Sequence, residues 1–184
     1  MPLCCIPTNE MAAVQIEDQK MPKKCGHLND KQLISAHDMG LKITAAKRAS
    51  KTVQIIARTD ALASEGLHEA IKRAQLYVES GADIVFADGL SSEQDFKSFA
   101  QSVKAPALAN MTEFGKTPYY TGQQFEDMGY KIIIWPVSQL RVALKAMEEL
   151  YDTIIDEDGT KSQERKMKTR EELYNLIGYF DYEA

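Results

Sequence analysis

Five short apolar segments recur along the chain, and each is apolar at nearly every position instead of at alternate ones. They are residues 12–16, 53–57, 84–87, 107–109 and 132–135. This pattern is typical of strands that are buried on both faces, as in a parallel sheet covered by helices. We therefore predict five parallel strands.

A helical spacing of apolar residues follows each predicted strand. The stripe after the second strand contains Leu67, Ala70, Ile71, Ala74 and Val78, and the stripe after the fifth contains Leu140, Ala143, Leu144, Met147, Leu150 and Tyr151. Weaker helical patterns cover residues 38–49, 92–103 and 123–128. A polar linker around residues 156–168 leads to a last short helix at residues 170–177. This alternation predicts an α/β fold.

Polar side chains follow four of the predicted strands. They are Glu17 and Asp18, Arg58 and Asp60, Asp88, and Asn110. In an α/β fold the carboxyl ends of the strands carry the active site. A doubly wound sheet concentrates such groups at one switch point, so polar groups after four strands favour part of a (β/α)₈ TIM barrel instead. A closed barrel needs eight strands and ~250 residues, and five strands supply only part of one.

Composition excludes several classes of partner. The 184 residues include 22 lysines and arginines against 27 aspartates and glutamates, so the net charge is −5. An acidic chain has no general attraction for nucleic acid or anionic lipid, and its apolar runs are too short to span a bilayer. Three cysteines are too few for a disulfide framework or a zinc site, which favours a reducing compartment. We expect a cytoplasmic protein without nucleic-acid or membrane partners.

The segment after the first strand is the first candidate for chemistry. Cys25 lies beside Lys23, Lys24 and His27. Positive neighbours lower the pKa of a thiol and favour its thiolate, and Gly26 lets the backbone approach a ligand closely. The alternative interpretation is a basic surface loop with an incidental cysteine.

The other polar residues each allow two interpretations. Glu17 is a carboxylate of the kind that Mg²⁺ takes as a ligand, or one of a pair that caps a loop. Arg58 requires an anion after its buried strand, which is either Asp60 or Asp88 in a structural salt bridge or a substrate carboxylate. Asn110 orients a polar ligand or caps a turn.

Several segments together resemble a known family. The sequence KKCGH at residues 23–27 resembles the signature loop of the isocitrate lyase/phosphoenolpyruvate mutase superfamily. The other matching segments are IEDQ at 16–19, ARTDA at 57–61, ANMTEFGKTP at 109–118, WPVSQLR at 135–141 and TREELY at 169–174. In this order, from about Met11 onward, they most resemble the methylisocitrate lyases of that superfamily.

The resemblance implies an activity and a set of site residues. Such enzymes cleave 2-methylisocitrate to pyruvate and succinate with Mg²⁺, so a small di- or tricarboxylate substrate is expected. They are homo-oligomers, usually tetramers, in which the C-terminal helical region exchanges between subunits. By motif position, Cys25 is the general acid and Glu17 helps to hold Mg²⁺. The implied substrate-binding residues are Gly26, Arg58, Asp88, Asn110, Met111, Thr112, Arg141 and Arg170.

The chain also departs from that family. It begins just before the fourth barrel strand, so it lacks the aspartate-rich turn that carries the main Mg²⁺ ligands. We expect a truncated member: the last five strands of the barrel over residues 1–158, then a C-terminal helical extension over residues 159–184. Asp88 stands where the family usually has a glutamate. A dimethylmalate-type lyase, an oxaloacetate-directed hydrolase or decarboxylase, and an inactive fragment therefore stay open.

Overall fold

A computed structural model describes residues 11–24, 31–49 and 52–182. In these residues strands and helices alternate. The strands are β1 (Ala13–Glu17), β2 (Gln54–Thr59), β3 (Ile84–Ala87), β4 (Ala107–Asn110) and β5 (Ile132–Ile134). The helices are α1 (Ala36–Ala49), α2 (Leu62–Glu79), α3 (Glu93–Ser102), α4 (Gly122–Asp127), α5 (Ser138–Glu157) and α6 (Arg170–Ile177). Each of the five predicted strands and each predicted helix is present.

The strands form one parallel sheet in the order β1-β2-β3-β4-β5. Each strand pairs with its neighbour in sequence, as Glu17 pairs with Arg58 and Asn110 with Ile134. A doubly wound sheet would reverse this order at its switch point, whereas a barrel adds each new strand to the same side. The unreversed order confirms the predicted part of a barrel and excludes the doubly wound alternative.

The helices pack on the sheet through two apolar clusters. One contains Phe96, Phe99, Phe125, Met128 and Tyr130 with residues of β3 and β4. Its rings meet edge to face, with centroids 5.3 Å apart for Phe96 and Phe125, a favoured arrangement for aromatic pairs. The second cluster joins Met39 and Ile43 of α1 to Tyr77 of α2 and Ile55 of β2. Burial of both faces of β3 and β4 explains why these two strands are continuous apolar runs.

Helix α2 begins earlier than its apolar stripe predicts. The helix starts at Leu62, and Gly66 interrupts it with a φ of 82°. That value lies in the left-handed region, which glycine adopts without a steric penalty. The stripe that begins at Leu67 therefore describes only the part of α2 beyond this kink.

The contacts divide the chain into two compact units between Val137 and Ser138. The first unit contains the sheet and its helices α1 to α4. The second contains α5, a 3₁₀ turn at Lys161–Lys166 inside the predicted polar linker, and α6. The predicted domain boundary at residues 158/159 stays a prediction. No helix in the described ranges combines the length and apolar character needed to cross a membrane.

The second unit has well-defined helix ends and exposed apolar side chains. A capping box joins Thr169 to Glu172 at the start of α6, and Gly178 ends that helix in the left-handed conformation.

Large apolar residues of α5 and α6 that are at least half exposed are Leu140, Val142, Leu144, Met147, Tyr151, Ile155, Leu176 and Ile177. Exposed apolar side chains in this number on two helices normally pack against another surface.

Candidate active site

Polar side chains converge where β1, β2 and β3 end, and Arg58 is at their centre. Its Nε and Nη2 donate to the two carboxylate oxygens of Asp60, each at 2.8 Å. Nη2 also donates to Asp88 at 3.0 Å, and Nε lies 3.5 Å from Glu17. The guanidinium lies over the Phe86 ring on β3, 5.2 Å from its centroid. Three strand ends thus contribute carboxylates to one arginine.

The charges of this group are stabilised by one another. Burial disfavours the Arg58 cation, but hydrogen bonding to Asp60 and the charges of Asp88, Asp60 and Glu17 outweigh burial and raise the pKa of Arg58. Burial likewise opposes ionisation of Asp60, yet Arg58 and Lys31 lower the pKa of that carboxyl below its usual value. At neutral pH the site therefore holds a cation and an anion side by side.

Lys31 extends the group toward the segment that follows β1. Its Nζ lies 3.3 Å from Oδ1 of Asp60, and its side chain is 2% exposed. A buried ammonium is stable only when it is paired, and Asp60 is its partner here. Sequence analysis did not identify Lys31, because nothing in its local pattern distinguishes it from a surface lysine.

Asp18 points away from the Arg58 group, although it follows Glu17 directly. Successive residues of a strand point to opposite sides. Asp18 is fully buried and accepts hydrogen bonds from the Thr59 hydroxyl at 2.7 Å, the Tyr77 hydroxyl at 2.8 Å and the Asp60 amide at 3.0 Å. Its oxygens are therefore engaged in fastening the end of β2 to helix α2.

Arg73 and Tyr77 are structural residues that sequence analysis missed. Arg73 donates to Glu65 through two bonds of 2.7 Å, to Tyr77 at 3.2 Å and to Asp18 at 3.4 Å. Burial and the Asp18 charge raise the pKa of the Tyr77 phenol, so it remains a neutral donor. The sequence feature that could have indicated this buried pair is an arginine and a tyrosine four residues apart beside an apolar stripe.

The segment after β4 places three predicted substrate residues together. The Thr112 hydroxyl donates to Oδ1 of Asn110 at 2.8 Å. Met111 between them is buried, and its main-chain N–H donates to Ile134 of β5 at 2.9 Å. Asn110 and Thr112 are partly exposed at the carboxyl edge of the sheet, whereas the side chain of Met111 belongs to the core.

Four predicted site residues lie outside the described residues of the first unit. Cys25 and Gly26 lie outside the described residues. Arg141 lies in the first turn of α5 and Arg170 is the first residue of α6, both in the second unit. Their assignment to the site stays a prediction.

Glu17 is a described residue whose side chain fits a metal ligand. Its Oε1 is buried without a hydrogen bond, with Lys23 3.2 Å away as an ionic partner. An unsatisfied buried carboxylate oxygen fits one ligand position of a hard cation. Within the described ranges, no group of three or more His, Cys, Asp or Glu is arranged to hold a metal. Glu17 alone therefore supplies one ligand of such a site.

A parallel sheet whose order never reverses, with charged residues at the carboxyl ends of its strands, defines a protein of the (β/α)₈-barrel class. The chain belongs to the family described as Phosphoenolpyruvate phosphomutase, whose model matches residues 7–155.

Proteins named 2-methylisocitrate lyase are among its similar relatives. The one from Bacillus subtilis (strain 168) is 51% identical over 174 residues, which cover 95% of this chain and 58% of the relative. The one from Aeropyrum pernix is 56% identical over 172 residues, covering 94% and 56%. The chain thus spans somewhat more than half the length of the curated relatives it matches.

Solved structures agree with the fold. A crystal structure of 2,3-dimethylmalate lyase, described as a PEP mutase/isocitrate lyase superfamily member, superimposes with a TM-score of 0.84 and 32% identity. The superposition covers 93% of this chain and 58% of that one. The half-barrel of five parallel strands is therefore an arrangement that this superfamily uses.

Proposed function

We propose that the protein is a carbon–carbon lyase of the methylisocitrate lyase type, which cleaves 2-methylisocitrate to pyruvate and succinate. The observation that carries this proposal is the 51–56% identity to proteins of that name across nearly the whole chain. Arg58 supports it, because its guanidinium is a fixed cation at the carboxyl edge of the sheet and a substrate carboxylate requires such a partner.

Arg58 is assigned to a substrate carboxylate. Within the described residues its contacts with Asp60, Asp88 and Glu17 use Nε and Nη2, and we assign Nη1 to the substrate. Because Asp60 and Asp88 already hold the guanidinium in one orientation, binding a carboxylate requires little further ordering of this side chain. Asn110 and Thr112 contribute polar groups at the same edge. Gly26 and the main chain of Met111 are assigned to the substrate by the family resemblance alone.

The proton transfers follow from the bond that breaks. Loss of the substrate hydroxyl proton forms the carbonyl of pyruvate, and the electron pair of the broken carbon–carbon bond passes to the succinate carbon. We assign Cys25 as the general acid that protonates this carbon, since Lys23 and Lys24 make the resulting thiolate stable. The hydroxyl proton passes to solvent and the thiolate later takes one proton from solvent, so the protons balance over one turnover.

Mg²⁺ is the proposed cofactor. The Oε1 atom of Glu17, which is buried without a hydrogen bond, supports one ligand position for it. When bound, the ion acts as a Lewis acid toward oxygen atoms of the substrate.

We also propose that the protein is a cytoplasmic homo-oligomer, a tetramer as in the family it resembles. The exposed apolar side chains of α5 and α6 support this, because subunit contacts would bury them. Arg141 and Arg170 are then assigned to substrate carboxylates. Arg170 begins α6, where a cation interacts unfavourably with the helix dipole, so it does not serve the stability of that helix.

A 2,3-dimethylmalate lyase is the second candidate. Asp88, which contacts Arg58, has a side chain one methylene shorter than the glutamate that the family resemblance implies there. The fold likeness to a 2,3-dimethylmalate lyase at 32% identity gives the same substrate class independent support.

A turnover assay separates these candidates. The chain is expressed alone, and together with the part of the Bacillus subtilis relative that lies outside the match, and pyruvate release from 2-methylisocitrate is followed with Mg²⁺. We expect turnover in the combined preparation and a strong loss for Arg58→Ala in the same preparation. Asp127→Ala, a change of an exposed carboxylate, is the matched control. Preference for dimethylmalate or oxaloacetate, or no turnover in either preparation, would contradict the proposal.

A further inference from the structure

The side chain of Asp18 holds the chain at the point where β2 ends. The pairing of β1 with β2 runs as far as Glu17 and Arg58. Beyond that pair, Oδ1 of Asp18 accepts the Asp60 amide at 3.0 Å, and Oδ2 accepts the Thr59 hydroxyl at 2.7 Å. One buried carboxylate thus fixes both of the residues that follow Arg58.

The position of Asp60 decides the orientation of Arg58. Both oxygens of the Asp60 carboxylate accept bonds of 2.8 Å, from Nε and Nη2 of Arg58, so the two groups must lie in line. That carboxylate has two further side-chain partners, Lys31 and Gln19. The main-chain amide of Asp60 is bonded to Asp18. A shift of this main chain would therefore turn the guanidinium.

Helix α2 holds Asp18 from the other side. The Tyr77 hydroxyl donates to Oδ2 of Asp18 at 2.8 Å, and Nη1 of Arg73 donates to the same oxygen at 3.4 Å. Arg73 is in turn bonded to Glu65 through Nε and Nη2, each at 2.7 Å. Asp18 and Tyr77 are fully buried. A continuous set of polar contacts therefore joins α2 to the main chain of Asp60.

We infer that Asp18 is a positioning residue for Arg58: it fixes the main chain at Asp60, and Asp60 then holds the guanidinium in its observed orientation. Tyr77 acts one contact further away, by holding Asp18 itself. A bidentate binding group must stay within ~0.5 Å and ~10–20° of its working geometry, which further hydrogen bonds to its partner provide. That Arg58 binds a substrate carboxylate rests on the proposed function, whereas the control of its orientation by Asp18 does not.

The reactivity of Arg58 toward phenylglyoxal tests this inference in the 184-residue chain. The reagent modifies guanidinium groups, and a guanidinium bonded through two nitrogens reacts slowly. The rate for Arg58 is measured by mass spectrometry and divided by the rate for Arg165, an exposed arginine in the same sample. The variants are Asp18→Asn, which replaces one acceptor oxygen by an amide donor of similar size, and Tyr77→Phe, which removes one hydroxyl.

Ile43→Val is the control for a general loss of stability. It removes one methyl group from the apolar cluster that also contains Tyr77. The melting temperature of each variant is measured alongside its modification rates. A merely structural role of Asp18 would make the Arg58 rate follow the melting temperature across all three variants.

We expect Asp18→Asn to raise the ratio of the Arg58 rate to the Arg165 rate by about tenfold, because hydrogen bonds to a buried carboxylate are lost and the Asp60 main chain is released. Tyr77→Phe raises this ratio by about threefold, since Asp18 loses one donor while the Asp60 amide keeps its acceptor. Ile43→Val leaves the ratio at the parent value.

A second measurement uses the combined preparation described above. There we expect Asp18→Asn to raise the KM for 2-methylisocitrate by more than it lowers kcat, because Arg58 binds a carboxylate less well in the ground state. Ile43→Val leaves both constants at their parent values.

Equal ratios for Asp18→Asn and Ile43→Val would overturn the inference. If Asp18→Asn does not fold, Tyr77→Phe replaces it, and a ratio equal to that of Ile43→Val overturns the inference in the same way. If the ratio changes as expected while the combined preparation does not cleave 2-methylisocitrate, the proposed function fails and the positioning role of Asp18 stands. An unchanged ratio in a preparation that cleaves it refutes the positioning role alone.

Discussion

The pairing of Asp60 with Arg58 and Lys31 makes folding stability depend on acid. The pKa of Asp60 in the folded protein is lowered, so at low pH the unfolded chain, with an ordinary value of ~3.9, binds more protons than the folded one. The stabilisation is complete above the unfolded pKa and is lost as pH falls through the lower folded value. We therefore expect the free energy of unfolding to decrease steeply below about pH 4.

Asp60→Asn should lower stability at pH 7 and flatten this acid dependence, as measured by urea unfolding at a series of pH values. Asp127→Asn, at an exposed carboxylate, should leave the slope unchanged. An equally steep acid dependence in Asp60→Asn would show that other carboxylates carry it.

Tyr130 carries a buried hydroxyl that finds no hydrogen-bond partner among the described residues. Burial raises the pKa of this phenol, so it remains neutral. Because an unsatisfied buried polar group costs about 1–3 kcal/mol, Tyr130→Phe should stabilise the protein by roughly 1 kcal/mol while keeping the ring contacts with Phe96 and Phe125. Tyr119→Phe, at an exposed tyrosine, should change stability little in the same thermal unfolding experiment. A destabilised Tyr130→Phe would indicate a partner for the hydroxyl.

Individual residues also mark the limit of what the sequence predicts about the site. Polar groups at strand ends were enough to place Glu17, Arg58, Asp88 and Asn110 at one edge. The opposite orientations of Glu17 and Asp18 depend on where β1 ends, which an apolar run defines only to within a residue. Lys31 could not be identified from the sequence, because its partner Asp60 is distant along the chain.

At the scale of elements, α2 offers a direct test of its kink. A Cβ atom added at Gly66 would have no atom within 4 Å, but the backbone φ of Gly66 is 82°. Gly122 at the start of α4 has equally open space without a positive φ. We expect Gly66→Ala to destabilise the protein by about 1 kcal/mol and Gly122→Ala to be neutral or stabilising, as measured by thermal unfolding. Equal effects of the two changes would contradict a left-handed Gly66.

The elements themselves were largely predictable because packing and periodicity agree. The residue range of β3 and that of α6 match the prediction, and α6 has the strong signals of a Thr169 cap and Gly178. Residues 62–65 of α2 were missed because they carry no apolar stripe before the kink. The 3₁₀ turn at Lys161–Lys166 was missed because it buries no residue, and periodicity reports only burial.

At the scale of the whole molecule, β1 and β5 each pair with one neighbour in the described sheet. Unpaired strand edges with apolar residues favour association with other chains. We predict that the 184-residue chain alone self-associates, binds Mg²⁺ weakly and does not turn over 2-methylisocitrate, because no group of three or more His, Cys, Asp or Glu in the described residues is arranged to hold a metal ion. Light scattering, Mg²⁺ titration and the pyruvate assay test this. A monomer with turnover near ~1–10³ s⁻¹ would contradict it.

The unreversed strand order also has a consequence for how the chain acquires its structure. In the described sheet each of β2 to β5 pairs with the strand that precedes it in sequence, and no later strand is inserted between two earlier ones. Contacts between sequence neighbours close short loops, which is entropically inexpensive and fast. On the ribosome, each β-strand and its helix can dock onto the surface already formed as soon as they emerge, so synthesis and assembly of the sheet can proceed in the same direction.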